Sequence, residues 1–391
     1  MIIPKLAFRN LIGAGMKTWL NAIVLSMAYV TIIWTQGLYI GFDADVSRVM
    51  IETEYGGGQY WMEKYDPFDA FSLQDAHAPL AEPLQALVGQ GKATSILIVQ
   101  GTLYPEGRIL PVLLKGIDPE QKLLGIPSSV LKATDHELPA LIGNRMSQTS
   151  GLKKGDVVTV RWRDANGTFD AKDLVIVEVM TTLDQGVDVG QVWLSLPTLQ
   201  EMAGMKSQAT MVVLEKNSIP AGTIAGWAFK GLDYLLKDIK SLIQGKKIGA
   251  SIIYTILLFL AMLAIFNTQV LAIFKRRKEI GTMMALGFSR GKVIELFTFE
   301  GAMNGVLAAV VGAVYGIPLL VYTAIHGYGL PGNQGDNFGF AISEKLYPTY
   351  TAGLVLGTTA LVFIITTFIS FLPTRKIARL KPTDALRGKL R

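Results

Sequence analysis

Residues 248–274 read IGASIIYTILLFLAMLAIFNTQVLAIF, and residues 275–290 continue KRRKEIGTMMALGFSR. The first stretch is 27 residues without Asp, Glu, Lys or Arg, bounded by Lys247 and Lys275. A helix needs about 20 apolar residues to cross a hydrocarbon layer of about 30 Å. Buried helices of soluble proteins rarely stay uncharged for so long. This run therefore predicts a transmembrane helix that delivers the chain into a basic segment.

Three further runs have the same character: 18–42, 301–335 and 346–374. Their apolar centres are Leu20 to Ile40, Val306 to Tyr322 and Leu354 to Leu372. The composition agrees. Charged residues are 17% of 391, against about 25% in soluble domains, and mean hydropathy is +0.37. These values exclude a disordered chain or a nucleic-acid-binding tail. Cysteine is absent, which removes disulfides, thiolate metal sites and cysteine nucleophiles. The first run is longer than the apolar core of a signal peptide, and no small-x-small cleavage pattern follows it, so it reads as a retained anchor.

Lysine and arginine set the orientation. Residues 1–17, 275–292 and 373–391 hold 16 of the 37 basic residues, with only Glu279 and Asp384 as acids. Positive loops stay cytoplasmic. Both termini and the 275–292 loop are therefore expected inside. The expected segments are an interfacial helix 1–17, span 18–42, a periplasmic α+β domain 43–247, span 248–274, a cytoplasmic element 275–292, span 293–325, a periplasmic loop 326–349, span 350–372 and a tail 373–391. The fold class is an integral membrane α-helical protein of four transmembrane helices. A large α+β extracytoplasmic domain is inserted between helices 1 and 2. At the N-terminus, Ile3, Ala7, Phe8 and Leu11 share one helical face opposite Lys5 and Arg9, the pattern of a helix lying in the interface.

Inside 43–247, strands are expected at Ser95–Gln100, Leu110–Lys115, Asp156–Arg163, Asp173–Met180, Gln191–Leu196 and Ala209–Glu215. Asn166-Gly167 suits a tight hairpin turn. From Ile219 to Lys247 the spacing of Trp227, Leu232, Leu235, Leu236, Ile239 and Leu242 predicts helix. Chemistry is sparse. Asp164, Asp170 and Asp173 read as solvated hairpin carboxylates, and His136 between Asp135 and Glu137 as a surface cluster. Tyr55, Tyr60, Trp61, Tyr65, Phe68 and Phe71 fit either core packing or a partner groove.

The segment after the second span carries more information. Met283, Met284, Leu286 and Phe288 form an apolar tip on a basic base, with Gly287 suited to stop a helix and Ser289 to cap the next. An uncovered apolar tip is costly. It fits a docking knob for a cytoplasmic partner or a helix resting on headgroups. Glu300 opens the third span and must face protein or headgroups. Gly301, Gly305, Gly312 and Gly316 offer a close-packing face for a neighbouring span or a second subunit. Gly89–Thr94 and Gly287–Val293 fail the spacing of a phosphate-binding Walker loop, so no ATP site is expected by that route.

One span, an external domain and three further spans resemble the permease subunits of the FtsX/MacB-like superfamily of ABC transporters. The resemblance rests on Lys278-Glu279-Ile280-Gly281, on Ala285-Leu286-Gly287, on Glu300-Gly301 and on Pro373 through Arg387, ending Pro382-Thr383-Asp384-Ala385-Leu386-Arg387. It implies a coupling element gripped by an ATPase subunit, with Glu279, Gly281, Met283, Met284, Leu286, Gly287 and Phe288 as coupling residues and Glu300 as a structural acid. The external domain is similar to lipoprotein-releasing (Lol-type) permeases at Pro111–Pro119, Leu141–Arg145, Gly151–Asp156 and Gln191–Leu196.

The implied assembly pairs two copies of an ABC ATPase, which carry ATP and Mg, with a second permease, identical or homologous. The chain itself would be non-catalytic and would hold no cofactor or metal. It would sit in the bacterial inner membrane and extract a lipoprotein or other lipid-anchored substrate, with or without a periplasmic carrier, and would bind no nucleic acid. The second reading is mechanotransmission to an efflux partner or cell-wall hydrolase. Depth and bulk select Met27, Val30, Ile33, Trp34, Ile253, Leu257 and Leu260 as substrate-facing or lipid-facing positions.

Overall fold

The computed structural model describes residues 15–132, 138–181, 185–218, 220, 222–329 and 345–375. The expected interfacial helix, the His136 cluster, most of the 326–349 loop and the tail beyond Arg375 lie outside the described residues. The chain divides into two compact units. Among the described residues, one comprises 15–43, 242–329 and 345–375, and the other those between 44 and 241.

The first unit is a helical bundle. Its helices are α1 (Met16–Met50), α2 (Lys237–Lys275), α3 (Arg277–Ala285), α4 (Arg290–His326) and α5 (Ala352–Thr374). All but α3 are long and apolar enough to cross a membrane, and they contain the apolar centres of the four uncharged runs. Both α1 and α2 overrun their runs at the end that adjoins the inserted segment in sequence, so helix length exceeds what hydropathy alone gives.

The bundle interior is Leu25 and Ala28 of α1, Leu258, Ala261 and Ile265 of α2, Ala308 of α4 and Val362 of α5. In a lipid environment apolar burial between such helices would give little net gain, and close backbone approach and hydrogen bonds would carry the packing. The α4 glycines serve two neighbours. A methyl group on Gly305 would lie 2.6 Å from Thr366 Oγ1 of α5, and one on Gly316 would lie 2.7 Å from Val30 Cγ2 of α1. Asn21 Nδ2 donates to Thr268 Oγ1 at 2.8 Å, and the Tyr29 and Thr359 hydroxyls are 2.7 Å apart.

The second unit is built on a nine-stranded sheet: β1 (Gln59–Met62), β2 (Ala93–Leu103), β3 (Leu110–Ile117), β4 (Pro139–Gly143), β5 (Val157–Arg163), β6 (Phe169–Met180), β7 (Gln191–Ser195), β8 (Met211–Leu214) and β9 (Trp227–Lys230). The order is β9-β1-β8-β2-β3-β7-β4-β6-β5, and β5 also pairs with β2. That pairing closes six strands on themselves. Alternation of side chains fills the enclosure with Leu97, Val99, Val112, Leu114, Ala140, Ile142, Val160, Trp162, Ile176, Val192 and Leu194. Their neighbours Ile96, Ile98, Leu141 and Trp193 point to the other face, under the segment that includes Leu124, Ile126 and Leu131.

Three expectations change. Trp227 lies in a strand, not a helix. Trp-Ala-Phe-Lys pairs with β1 between Gly226, at φ +77°, and Gly231, and helix resumes only beyond it. The β5–β6 connection is wider than a two-residue turn. Asp164 Oδ1 accepts from the amides of Asn166 and Thr168, and only Gly167 takes a positive φ. The aromatic set splits. Tyr60 and Trp61 are buried, whereas Phe68 and Phe71 stand 82% and 84% exposed on a turn held by Asp66, Asp69 and Ser72.

Candidate functional site

The 275–292 segment is a short helix between two long ones. The sequence suggests that α2 runs on to Leu286; instead the helix breaks at Arg276, at φ −95° and ψ 17°. No Gly or Pro marks the break. The side chain at this point is held from two sides. Arg276 Nη1 donates to both carboxylate oxygens of Glu300 at 3.1 and 2.9 Å, and Nε donates to Glu279 Oε2 at 2.7 Å. The guanidinium also lies 5.0 Å from the Phe297 ring centroid. Burial pulls the Arg276 pKa down, but the hydrogen bond to Glu279 and the charges of Glu300 and Glu279 outweigh it and hold it above the ordinary value. Glu300 therefore faces protein: it is the counter-ion that fixes the joint between α2, α3 and α4.

Beneath the ion pair, Ile273, Ile280, Val293 and Phe297 form a small core, with Met284 and Ile294 against it. Ile280, Val293 and Phe297 are fully buried, each worth about 1.5–3 kcal/mol relative to exposure. Helix α3 ends as its residues require. Gly287 takes φ +95°, where a side chain would be strained, and Ser289 caps α4 by accepting from Lys292 N.

The predicted coupling residues separate into three groups. Gly281 is buried, and Met283 and Met284 are half-buried. Glu279 is spent on Arg276. Leu286 is 78% exposed and Phe288 41% exposed on a turn fixed from both sides. Arg277, stacked 4.4 Å over Phe274, and exposed Lys278, Arg290 and Lys292 flank them in sequence. An apolar point with cationic flanks, carried on a rigid stub, can do one chemical thing well: plug an apolar groove with an acidic rim. Sequence reading missed Arg276 and Phe297. The signal was a basic residue at a helix junction with an acid 24 positions ahead.

The substrate-facing candidates do not share one surface. Val30 and Ile33 are buried in the bundle, at 5% and 1% exposure. Trp34 meets Tyr328 edge-on at 5.2 Å. Met27, Ile253, Leu257 and Leu260 face outward. The two Walker near-misses also have the wrong context. A phosphate loop leads from strand to helix, whereas Gly89–Thr94 leads from the helix Glu82–Gly89 into β2, and Gly287–Val293 joins two helices.

Residues 251–382 match the FtsX-like permease C-terminal family, a span that includes the whole of this stub and all of α4 and α5. Over 146 residues, 37% of this chain and 33% of the relative, it is 29% identical to the ABC transporter permease YtrF of Bacillus subtilis. Over 223 residues, 57% and 30%, it is 25% identical to the macrolide export ATP-binding/permease protein MacB of Burkholderia cenocepacia. Over 203 residues, 51% and 28%, it is 25% identical to the MacB of Salmonella typhimurium. The chain thus spans about a third of the length of the curated relatives it matches.

Proposed function

We propose a mechanical function for this chain, which belongs to the FtsX/MacB-like permease superfamily through residues 251–382. As an ABC transporter permease subunit it has an ATPase partner. The finer reading is that the partner is a separate chain, present in two copies with ATP and Mg, and that it grips the α3 stub from the cytosol. A second permease completes the assembly in a bacterial inner membrane, with both termini of this chain cytoplasmic and the sheet unit on the far side. ATP-driven closure pushes Leu286 and Phe288. The Arg276–Glu300 pair and the Ile280–Phe297 core pass the push to α2 and α4 instead of letting α3 yield. Helices α1 and α2 flank the sheet unit in sequence, so their tilt moves it.

The observation that carries this reading is the exposed pair Leu286 and Phe288 on a stub whose Ile280 is packed into a small core. An apolar point costs solubility unless something covers it. For cargo, the export proteins among the relatives favour an efflux-type role in which the sheet unit drives a partner. Lipoprotein extraction rests on the Lol-like segments Pro111–Pro119, Leu141–Arg145, Gly151–Asp156 and Gln191–Leu196 alone.

The test is Leu286→Asp in the full chain, purified from its native membrane. Wild type retains an ABC-class ATPase identified by mass spectrometry. The variant inserts normally but loses it. If the ATPase stays bound to the variant, the stub is not its handle. Triacylated lipoprotein bound to the wild-type complex would favour extraction over efflux.

A further inference from the structure

Lys115 sits in mid-sheet with its side chain 6% exposed, and nothing described so far requires a charge there. Leu114 fills the enclosed core, so Lys115 points to the opposite face, beside Ile98 on β2 and Trp193 on β7. A leucine or methionine would satisfy that burial. A buried ammonium is costly unless paired. Its partner is Glu54, 3.6 Å away, and the Trp193 ring centroid lies 5.1 Å from Nζ.

Glu54 belongs to the last turn after α1. There the helix widens from α to a π-turn over Ile51–Tyr55, a rare form that is frequent at functional sites. The same turn is held at other points. Gly125 N donates to Glu52 O at 2.8 Å, and Gln59 Nε2 donates to Glu54 O at 2.8 Å. The chain then enters β1 through Gly56-Gly57-Gly58 with no room to spare. A Cβ on Gly56 would lie 2.2 Å from Leu214 O, and one on Gly57 would lie 2.1 Å from Glu215 O. Both contacts are to backbone, which cannot swing aside.

We propose that Lys115 is a positioning residue whose ammonium locks the π-turn at the end of α1 onto the sheet, so that this helix end and the sheet move as one body. A glycine run after a helix ordinarily reads as a flexible linker. Here the glycines permit contact instead of slack. The purpose of the joint rests on the lever reading; its geometry does not.

The experiment is hydrogen–deuterium exchange on the full chain in lipid nanodiscs, read at Ile51–Gly58 and at Val192–Leu194. Lys115→Met keeps the volume and removes the charge. It should speed exchange at 51–58 by about tenfold, equivalent to about 1.4 kcal/mol, and leave 192–194 unchanged. Lys115→Arg should restore protection, and so in large part should Lys115→Met with Glu54→Gln, which removes both charges. Unchanged exchange in Lys115→Met would show that only packing matters and would overturn the proposal. If that variant loosens the whole sheet, Glu54→Gln alone decides: it must loosen 51–58 with the sheet intact, or the lock is refuted. ATPase retention through Leu286 is scored separately. Its loss in otherwise normal protein, or its absence in wild type, would count against the lever reading and not against the joint.

Discussion

Arg276→Met should loosen the stub from within. The wild-type side chain is 21% exposed and that of Glu300 10%, with two hydrogen bonds between them. Removing one partner of a fully buried pair costs about 3–5 kcal/mol; an exposed pair is worth about 0–1 kcal/mol. The pair lies nearer the buried limit, and Glu279 also loses its partner, so about 2–3 kcal/mol is expected. The chain has no cysteine, so Val293→Cys places one reporter thiol, fully buried, inside the Ile280–Phe297 core. When opening and closing are fast, its maleimide labelling rate follows the population of the open state. Arg276→Met should raise that rate roughly 30- to 150-fold. Adding Glu300→Gln should recover much of the loss, with a coupling above about 1.5 kcal/mol. A change within threefold, or additive effects, would refute the claim that this pair holds the joint.

Gly316→Leu drives a side chain into Val30 and should cost about 1–3 kcal/mol by overpacking. Gly249→Leu, in open space, should not, and thermal melting in detergent compares the two. The Tyr65 phenol is held well above its ordinary value by burial, with the charges of Glu54 and Asp66 acting in the same sense. An unfolded tyrosine ionises near pH 10 and the folded one does not, so the sheet unit should lose stability as pH rises past about 10. Tyr65→Phe should flatten that loss; an unchanged slope in denaturant melts would contradict the assignment. Phe71→Ser should change stability by less than about 0.5 kcal/mol, because the ring is in water. Asp69→Ala should cost about 1 kcal/mol, because its carboxylate caps the turn at Phe71 N. Chemical denaturation resolves the pair.

Signals carried by composition over many residues were legible. Four uncharged runs give four long helices, and strict alternation in Val157–Arg163 gives a strand with one buried face. Gly287 and Ser289 mark a stop and a cap because backbone conformation and capping chemistry are local. What could not be read depends on partners distant in sequence. Trp227 suited the helical spacing, but the free edge of β1 took it into the sheet. The pairing of Arg276 with Glu300 crosses 24 positions, and that of Lys115 with Glu54 crosses 61. Val30 looked like a surface residue until Gly312 and Gly316 made a groove for it.

Photo-crosslinking at position 286 tests the account most directly. A diazirine amino acid in place of Leu286, in cells carrying the intact assembly, should yield one dominant adduct with an ABC-class ATPase. Its yield should change when ATP turnover is blocked. Adducts confined to phospholipid, with none to an ATPase in either state, would mean that the stub rests on the membrane and that no motor pushes it.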